Sequence, residues 1–458
     1  MTFYPFFRDA FPYEPTPCQE RLLRAVSVFL ASDDGDILVV NGYAGTGKTT
    51  AMAAVVAGLA QLQIPSVLLA PTGRAAKVLS QYAGHPASTI HKHIYRQKSM
   101  SAEGVGAFTL TFNKARSTLF IVDEVSLIGL SDGFGTGNLL EDLVTFVRAG
   151  TDCRLILMGD AAQLPPVGLD ASPALSPSFM NGFGGVSYVE LTTVVRQAAD
   201  SGILTNATRL RQLLPYAGEA VRLSVFPDVR RISGGELLEA LSDAYGRYGE
   251  DEVMVLCRSN KRAGRYNAGI RGSVLYHEER LVRGERLMIV RNHYLDGLEG
   301  TDYIANGDMA KLVWIKHFEE RYGLHFADAC LAFPDYGDQE VEMKVLLDVL
   351  ESDAPSLGQE ASQALFTGVL ADYADLPTKK KRYDAVRSDP FFCALQIKYA
   401  HAITCHKAQG GQWKCVFIDN PFWQDELQEE DLKWLYTALT RAVEQVYLVN
   451  FRDGFFEG

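Results

Sequence analysis

The chain of 458 residues carries 44 Lys and Arg against 56 Asp and Glu, a formal net charge of −12, with 47% hydrophobic and 22% charged residues. That length predicts two to four domains of ordinary globular composition and excludes a low-complexity or fibrous protein. The acidic balance bears on solubility and steering, and a basic groove for a polyanion can still sit on an acidic body.

Targeting and redox signals are few. The longest apolar stretches, such as Ile37–Val40 and Ala51–Ala60, are too short or too interrupted to cross a bilayer. Met1–Pro12 is aromatic and lacks the basic start and apolar run of a secretory signal. The seven cysteines (18, 153, 257, 330, 393, 405 and 415) form no Cys-x-x-Cys pair, which argues against zinc and disulfide frameworks. A cytoplasmic enzyme without a membrane partner is expected.

In chain order, Asp36–Gly42, Ser66–Pro71, Thr118–Glu124 and Arg154–Asp160 read as buried parallel strands. Helical stretches over Lys48–Leu62 and Asn138–Ala149 alternate with them, which predicts a doubly wound α/β unit. Within it, Tyr95–Arg116 contains a Gly/Ser-rich turn and the alternating Phe108-Thr109-Leu110-Thr111-Phe112, compatible with a hairpin. A second α/β series starts at Val253–Ser259, continues through the helical Lys261–Arg271 and resumes at Cys415–Asn420 and Gln445–Asn450. Asp308–Phe392 interrupts it with strand-like Ala310–Phe318 and Glu340–Val349 and the helical Glu360–Ala371. The plan is two similar lobes, each with an insertion.

The sharpest local signal is Gly42-Tyr43-Ala44-Gly45-Thr46-Gly47-Lys48-Thr49, which follows a strand and opens a helix. Glycines there let backbone N–H groups from Gly42 and Ala44 to Thr50 close around phosphates, and the helix N-terminus adds positive potential. Lys48 suits the β- and γ-phosphates and Thr49 a Mg²⁺ ion. The apolar strand Leu119–Val122 ends in Asp123 and Glu124. Asp123 can hold the metal's water shell and Glu124 can polarise the attacking water, the two roles hydrolysis needs. Together these segments predict an ATPase using ATP and Mg²⁺.

Further segments resemble one family in order. Leu157–Gly168, with its Gly-Asp-x-x-Gln-Leu-Pro-Pro-Val-Gly string, resembles motif III of superfamily 1 helicases of the RecD-like and Dda-like, 5′-to-3′ branch. Ala70–Ala76 is similar to their motif Ia, Ser88–Lys92 to motif Ib and Val194–Gln197 to motif IV. Ala402–Gly410 looks like motif V and Tyr436–Ala442 like motif VI.

The resemblance implies two RecA-like P-loop lobes with a β-hairpin pin in the first and a small SH3-like β-barrel in the second. The expected division is 1–195 for lobe 1 (pin about 95–117), 196–305 and 395–458 for lobe 2, and 306–394 for the barrel insertion. It implies Gln19 as an adenine reader, Gln163 as a γ-phosphate sensor, Arg196 and Arg441 as arginine fingers, and Gln409 and Gly410 on the nucleotide. A strand track follows from Thr72, Gly73, Thr89, His91, Thr404 and His406, with Phe108 and Phe112 on the pin. The basic run Lys379–Arg382 is a further candidate phosphate contact, although charge runs are usually only solvated. The implied activity is that of a monomer-capable, ATP-dependent DNA helicase, moving 5′ to 3′ on single-stranded DNA and acting at single-strand/duplex junctions. Phosphate contacts do not report the sugar, so an RNA-directed motor stays open, as does a DNA-stimulated ATPase that remodels a protein–DNA complex without unwinding.

Overall fold

The computed structural model describes residues 2–32, 34–100, 106–130, 138–195, 201–298 and 301–456. After helices α1 (Tyr4–Asp9) and α2 (Pro17–Ala31), the chain builds a parallel sheet from β1 (Ile37–Gly42), β2 (Ser66–Ala70), β3 (Ala87–Thr89), β6 (Leu119–Val122), β7 (Arg154–Gly159) and β8 (Val186–Leu191). Its order is β3-β2-β6-β7-β1-β8. Helices α3 (Lys48–Gln61), α4 (Gly73–Ala83), α5 (Ile90–Ile94), α6 (Leu139–Arg148) and α7 (Pro177–Met180) connect the strands, and the hairpin β4 (Tyr95–Met100)–β5 (Gly106–Leu110) projects after α5.

The near-continuous apolar strands are explained by burial on both faces. Ile37 and Val39 of β1, Phe120 and Val122 of β6, and Leu155 and Leu157 of β7 pack against α5 and α6. Their alternate neighbours Leu38, Val40, Leu119, Ile121, Ile156 and Met158 pack against α1 to α4. Fully burying one such aliphatic side chain is worth about 1.5–3 kcal/mol, so the layered sheet is the stable platform from which the functional loops leave.

Lobe 2 begins with α8 (Gly202–Leu213), β9 (Val229–Ile232), α9 (Leu237–Tyr248), β10 (Val253–Cys257) and α10 (Asn260–Ser273). The chain then leaves for β11 (Arg286–Ile289), the hairpin β12 (His293–Leu298)–β13 (Thr301–Ile304), β14 (Met309–Arg321), β15 (Leu324–Phe333) and β16 (Gln339–Leu346). Two helices, α11 (Gln359–Asp372) and α12 (Lys379–Arg387), follow before β17 (Leu395–Tyr399). It returns through β18 (Ala402–Thr404), β19 (Trp413–Asp419), α13 (Glu429–Leu439) and β20 (Ala442–Val449). The lobe 2 sheet is parallel, in the order β18-β10-β19-β20-β9.

Strands β11, β14, β15, β16 and β17 close into a five-stranded barrel, antiparallel except where β16 meets β17. The barrel therefore takes its first strand from 286–289 and its last from 395–399, a wider segment than the 306–394 expected. Two parallel sheets flanked by helices, with a small barrel inserted in the second lobe, are the architecture of the chain. No helix among the described residues is long and apolar enough to cross a membrane.

Candidate nucleotide and strand sites

The functional segments of lobe 1 all leave the carboxyl ends of its parallel strands, the edge where open α/β sheets bind ligands. The phosphate loop leaves β1, and Gly45 and Gly47 take φ of +72° and +74°. Only glycine adopts that backbone freely. A Cβ on Gly47 would lie 2.4 Å from Gln19 Nε2. The Lys48 ammonium donates to the Gly42 carbonyl inside the loop, so the cation is held where phosphate oxygens are expected.

Gln19 is buried, and both ends of its amide are engaged. Oε1 accepts from Thr16 N–H at 2.8 Å, and Nε2 donates to the Thr46 carbonyl at 3.0 Å. Thr16 and Gln19 form a capping box at the start of α2. These bonds tie the phosphate loop to the start of α2. The Thr-x-x-Gln spacing before an apolar helix was the signal for it.

Asp123 and Glu124 follow β6. Asp123 Oδ1 accepts from Glu124 N–H at 2.8 Å. Burial first, and then the charge of Glu124, push the Asp123 carboxyl up to about 6, with Lys48 opposing. Two half-buried carboxylates side by side, with the Lys48 cation near, fit a divalent ion. Glu124 has φ +54°, an uncommon left-handed conformation for a non-glycine residue and one that recurs at functional sites. Among the described residues no further His, Cys, Asp and Glu cluster could hold a metal.

Helix α13 of lobe 2 lies across this site. The Tyr436 hydroxyl accepts from Ala44 N–H of the phosphate loop at 2.9 Å and donates to Asp160 Oδ2, just after β7, at 2.6 Å. Thr437 Oγ1 accepts from Leu164 N–H at 2.8 Å, and Gln409 Nε2 donates to the Leu164 carbonyl at 2.7 Å. Ala162 and Leu164 are buried in the core of lobe 2, so the Asp160–Leu164 segment is shared property of both lobes. Gln163 is buried with its Oε1 unpartnered among the described residues. Asp160 and Tyr436 lie within the segments similar to motifs III and VI, but no local pattern links two positions so far apart, so their bond is visible only in the structure.

Arg441 is buried just past α13. Its guanidinium donates to the carbonyls of Thr437 and Gly411, each at 3.2 Å, and to Thr440 Oγ1 at 3.3 Å, all within lobe 2. Arg196 lies outside the described residues. Gln409 and Gly410, expected on the nucleotide, face other segments of lobe 1. Gln409 reaches Leu164, while a Cβ on Gly410 would lie 3.2 Å from Thr72 Oγ1.

A cleft of about 700 Å³ runs between the lobes and the barrel. Lobe 1 lines it with Thr72 and Arg74, lobe 2 with Arg258, Thr404, His406 and Lys407, and the barrel entrance with Asn306–Met309. Thr72 caps α4 by accepting from Ala75 N–H at 3.2 Å, which leaves its hydroxyl hydrogen free to donate. Arg74 crosses to lobe 2, donating to the Gln412 carbonyl at 2.8 Å and stacking 4.1 Å over Trp413. Gly73 packs under Tyr336 of the barrel. Burial lowers the His406 imidazole and brings Lys407 down to about 8.

Thr89 caps α5 by accepting from Lys92 N–H at 3.2 Å, and His91 packs 5.7 Å from Tyr95; neither is in the cleft wall. In the hairpin, Phe108 pairs with Gln97 across the β4–β5 ladder, its tip at 101–105 lies outside the described residues, and Phe112 stands past β5, 78% exposed.

Comparison with known proteins adds independent evidence. Residues 17–219 match an AAA domain model and residues 399–449 a UvrD-like helicase C-terminal domain. The chain is 25% identical over 449 residues to the ATP-dependent DNA helicase dda of Enterobacteria phage T4, covering 90% of this chain and 94% of that one. It is 35% identical over 175 residues to the ATP-dependent RecD2 DNA helicase of Deinococcus radiodurans, across 37% of this chain but only 21% of that longer relative. Among solved structures, a Pif1 helicase from Bacteroides in complex with ADP-AlF3 and ssDNA matches with 15% identity and a TM-score of 0.47, over 97% of this chain and 95% of the other. With the helicase motifs in family order across both lobes, and with a nucleotide-binding front segment and a helicase-type closing segment each recognised separately, the chain is similar to the superfamily 1 helicases of the RecD-like and Dda-like branch.

Proposed function

We propose that this chain is an ATP-dependent DNA helicase that tracks 5′ to 3′ along single-stranded DNA and opens duplex at a junction. One observation carries the proposal: fuel and track share a boundary. The phosphate loop is hydrogen-bonded to α13 of lobe 2, and the 700 Å³ cleft is walled by Thr72 and Arg74 of one lobe and by Thr404, His406 and Lys407 of the other. A change at the first contact therefore moves two grips on a strand relative to each other. The helicase names of the phage T4 and D. radiodurans relatives support the same reading.

In this scheme the loop N–H groups and Lys48 hold the phosphates, Gln19 braces the loop, and Gln163 senses the γ-phosphate. Thr49 and Asp123 would hold Mg²⁺, which when bound neutralises phosphate charge. Glu124 orients and polarises the attacking water. Arg441, with Arg196, supplies positive charge from the far wall once the lobes close, an effect worth about 10³–10⁵ in rate in related chemistry. Thr72, Thr404 and His406 bind the strand's phosphates by hydroxyl and ring N–H donors, and Phe112 offers a stacking face at the hairpin root. All seven cysteines are free, which supports a reducing, cytoplasmic setting.

Strand displacement on duplexes with 5′ or 3′ tails tests the proposal. Opening of the 5′-tailed duplex alone, with ATPase stimulated by single-stranded DNA, is the expected result. Hydrolysis at the same rate with and without polynucleotide overturns it. Stimulation by RNA in place of DNA reassigns the track, and stimulation by DNA without displacement leaves a remodelling ATPase.

A further inference from the structure

Resting on the ATPase reading above, we infer that Tyr436 is the positioning residue through which lobe 2 registers phosphate in the loop of lobe 1. Three segments distant in sequence meet on its single hydroxyl: the phosphate loop at Ala44, the end of β7 at Asp160, and α13 itself. The side chain is only 2% exposed, so the hydroxyl has no water to exchange for these partners.

The chemistry of the contact makes it a switch. A phenol has one hydrogen to give, and here it goes to Asp160 at 2.6 Å, while a lone pair takes the Ala44 N–H at 2.9 Å. On the ATPase reading, the Ala44 N–H is also one of the loop donors that a phosphate oxygen requires. The two acceptors compete for one hydrogen, and the phosphate, being charged, forms the stronger bond. Phosphate binding therefore releases the hydroxyl from Ala44 and leaves it on Asp160, whose other oxygen accepts from Ala162 N–H at 2.9 Å. Burial and the adjacent Asp160 push the phenol well above its usual range, so it stays a donor across the working pH range.

The release has a defined receiver. The helix that carries Tyr436 also carries Thr437, whose carbonyl is held by Arg441 Nε at 3.2 Å and whose hydroxyl is bonded to Leu164. Freeing the helix at Tyr436 loosens the frame that keeps the Arg441 guanidinium on its own lobe. Tyr436 thus times delivery of the arginine and leaves phosphate binding itself to the loop and Lys48.

The test is Tyr436→Phe, which keeps the ring and removes the hydroxyl. Steady-state ATPase at saturating single-stranded oligo-dT is to be measured with ADP affinity and the melting temperature. Turnover is expected to fall at least about tenfold, because a helix held neither at Ala44 nor at Asp160 no longer places Arg441 in step with phosphate binding, while KM for ATP stays level or drops, because the competitor for Ala44 N–H is gone. Turnover within about twofold of the parent overturns the inference, as does a fall in turnover matched by an equal loss of ADP affinity, the signature of a packing role. Should Tyr436→Phe not fold, Asp160→Asn decides, since it keeps the shape and leaves the hydroxyl a neutral partner. The same split is expected there, and turnover within about twofold of the parent overturns the role. If the parent is not stimulated by DNA, the ATPase-motor reading fails first; if the parent is stimulated and the variants equally so, only the role of Tyr436 fails.

Discussion

The two lobes share a plan, a parallel sheet with a strand–loop–helix unit at its centre, yet they treat the start of the central helix in opposite ways. In lobe 1, β1 runs into a glycine loop, and α3 begins at Lys48 after Gly47, which offers no side-chain cap, so the first N–H groups remain available to a ligand. In lobe 2, β10 runs into Arg258 and Ser259, and the Ser259 hydroxyl accepts from Arg262 N–H at 3.2 Å, closing the start of α10 on itself. An uncapped helix start is an anion site and a capped one is a finished structural end. Lobe 1 therefore binds with backbone, and lobe 2 contributes by sending side chains (Tyr436, Thr437, Gln409) to its partner's strand ends.

That contrast can be broken at several points. The largest effect belongs to Lys48→Ala, which is expected to reduce turnover by at least about 10³-fold while binding of single-stranded DNA persists; ATPase and fluorescence anisotropy read the two separately, and joint loss would tie the loop to the track directly. Arg441→Ala should lower kcat by about 10³-fold with little change in KM, and an unchanged kcat would remove lobe 2's charge from the chemistry. Ser259→Ala should cost about 1 kcal/mol, a drop of about 2–4 °C in melting temperature, without altering KM for ATP. A raised KM would mean that the capped helix also serves the nucleotide.

The smallest effect is a pH dependence. The Lys407 ammonium is buried, without a hydrogen-bond partner among the described residues, and titrates at about 8 under burial and the nearby Lys398. A lysine with a lowered value is charged below it and neutral above. Affinity for single-stranded DNA should therefore weaken a few-fold as pH rises from 7 to 9, and Lys407→Arg should flatten the profile.

Where function depends on neighbours in sequence, the residues were readable. The phosphate loop, Asp123–Glu124 and the buried strands β1, β6 and β7 carry their signals within a few positions, and the observed elements lie within about two residues of those expected. What depends on tertiary contact was not. Strand β15 escaped notice because one side of it faces the barrel core through Ala327, Ala329 and Leu331, while Phe326 packs with the core that α11 and α12 also enter, so the alternation of a half-exposed strand never develops. Strand β8 was missed for the opposite reason, being a largely exposed edge. The barrel extends past its expected limits because β11 and β17 pair across a long excursion of chain, and the bond of the Gln19 amide to Thr46 joins groups that no local pattern links.

The small barrel has a mechanical consequence. Its last strand ends at Tyr399 and lobe 2 resumes at Ala402, too short a tether for independent swinging, so barrel and lobe 2 travel as one arm. The tip of that arm rests on α4 of lobe 1, where Lys77 Nζ donates to the Pro334 carbonyl at 2.7 Å and lies 3.7 Å from Asp335, and Tyr336 abuts Gly73. Any rotation of the arm relative to lobe 1 must lift this tip off its seat or slide it along.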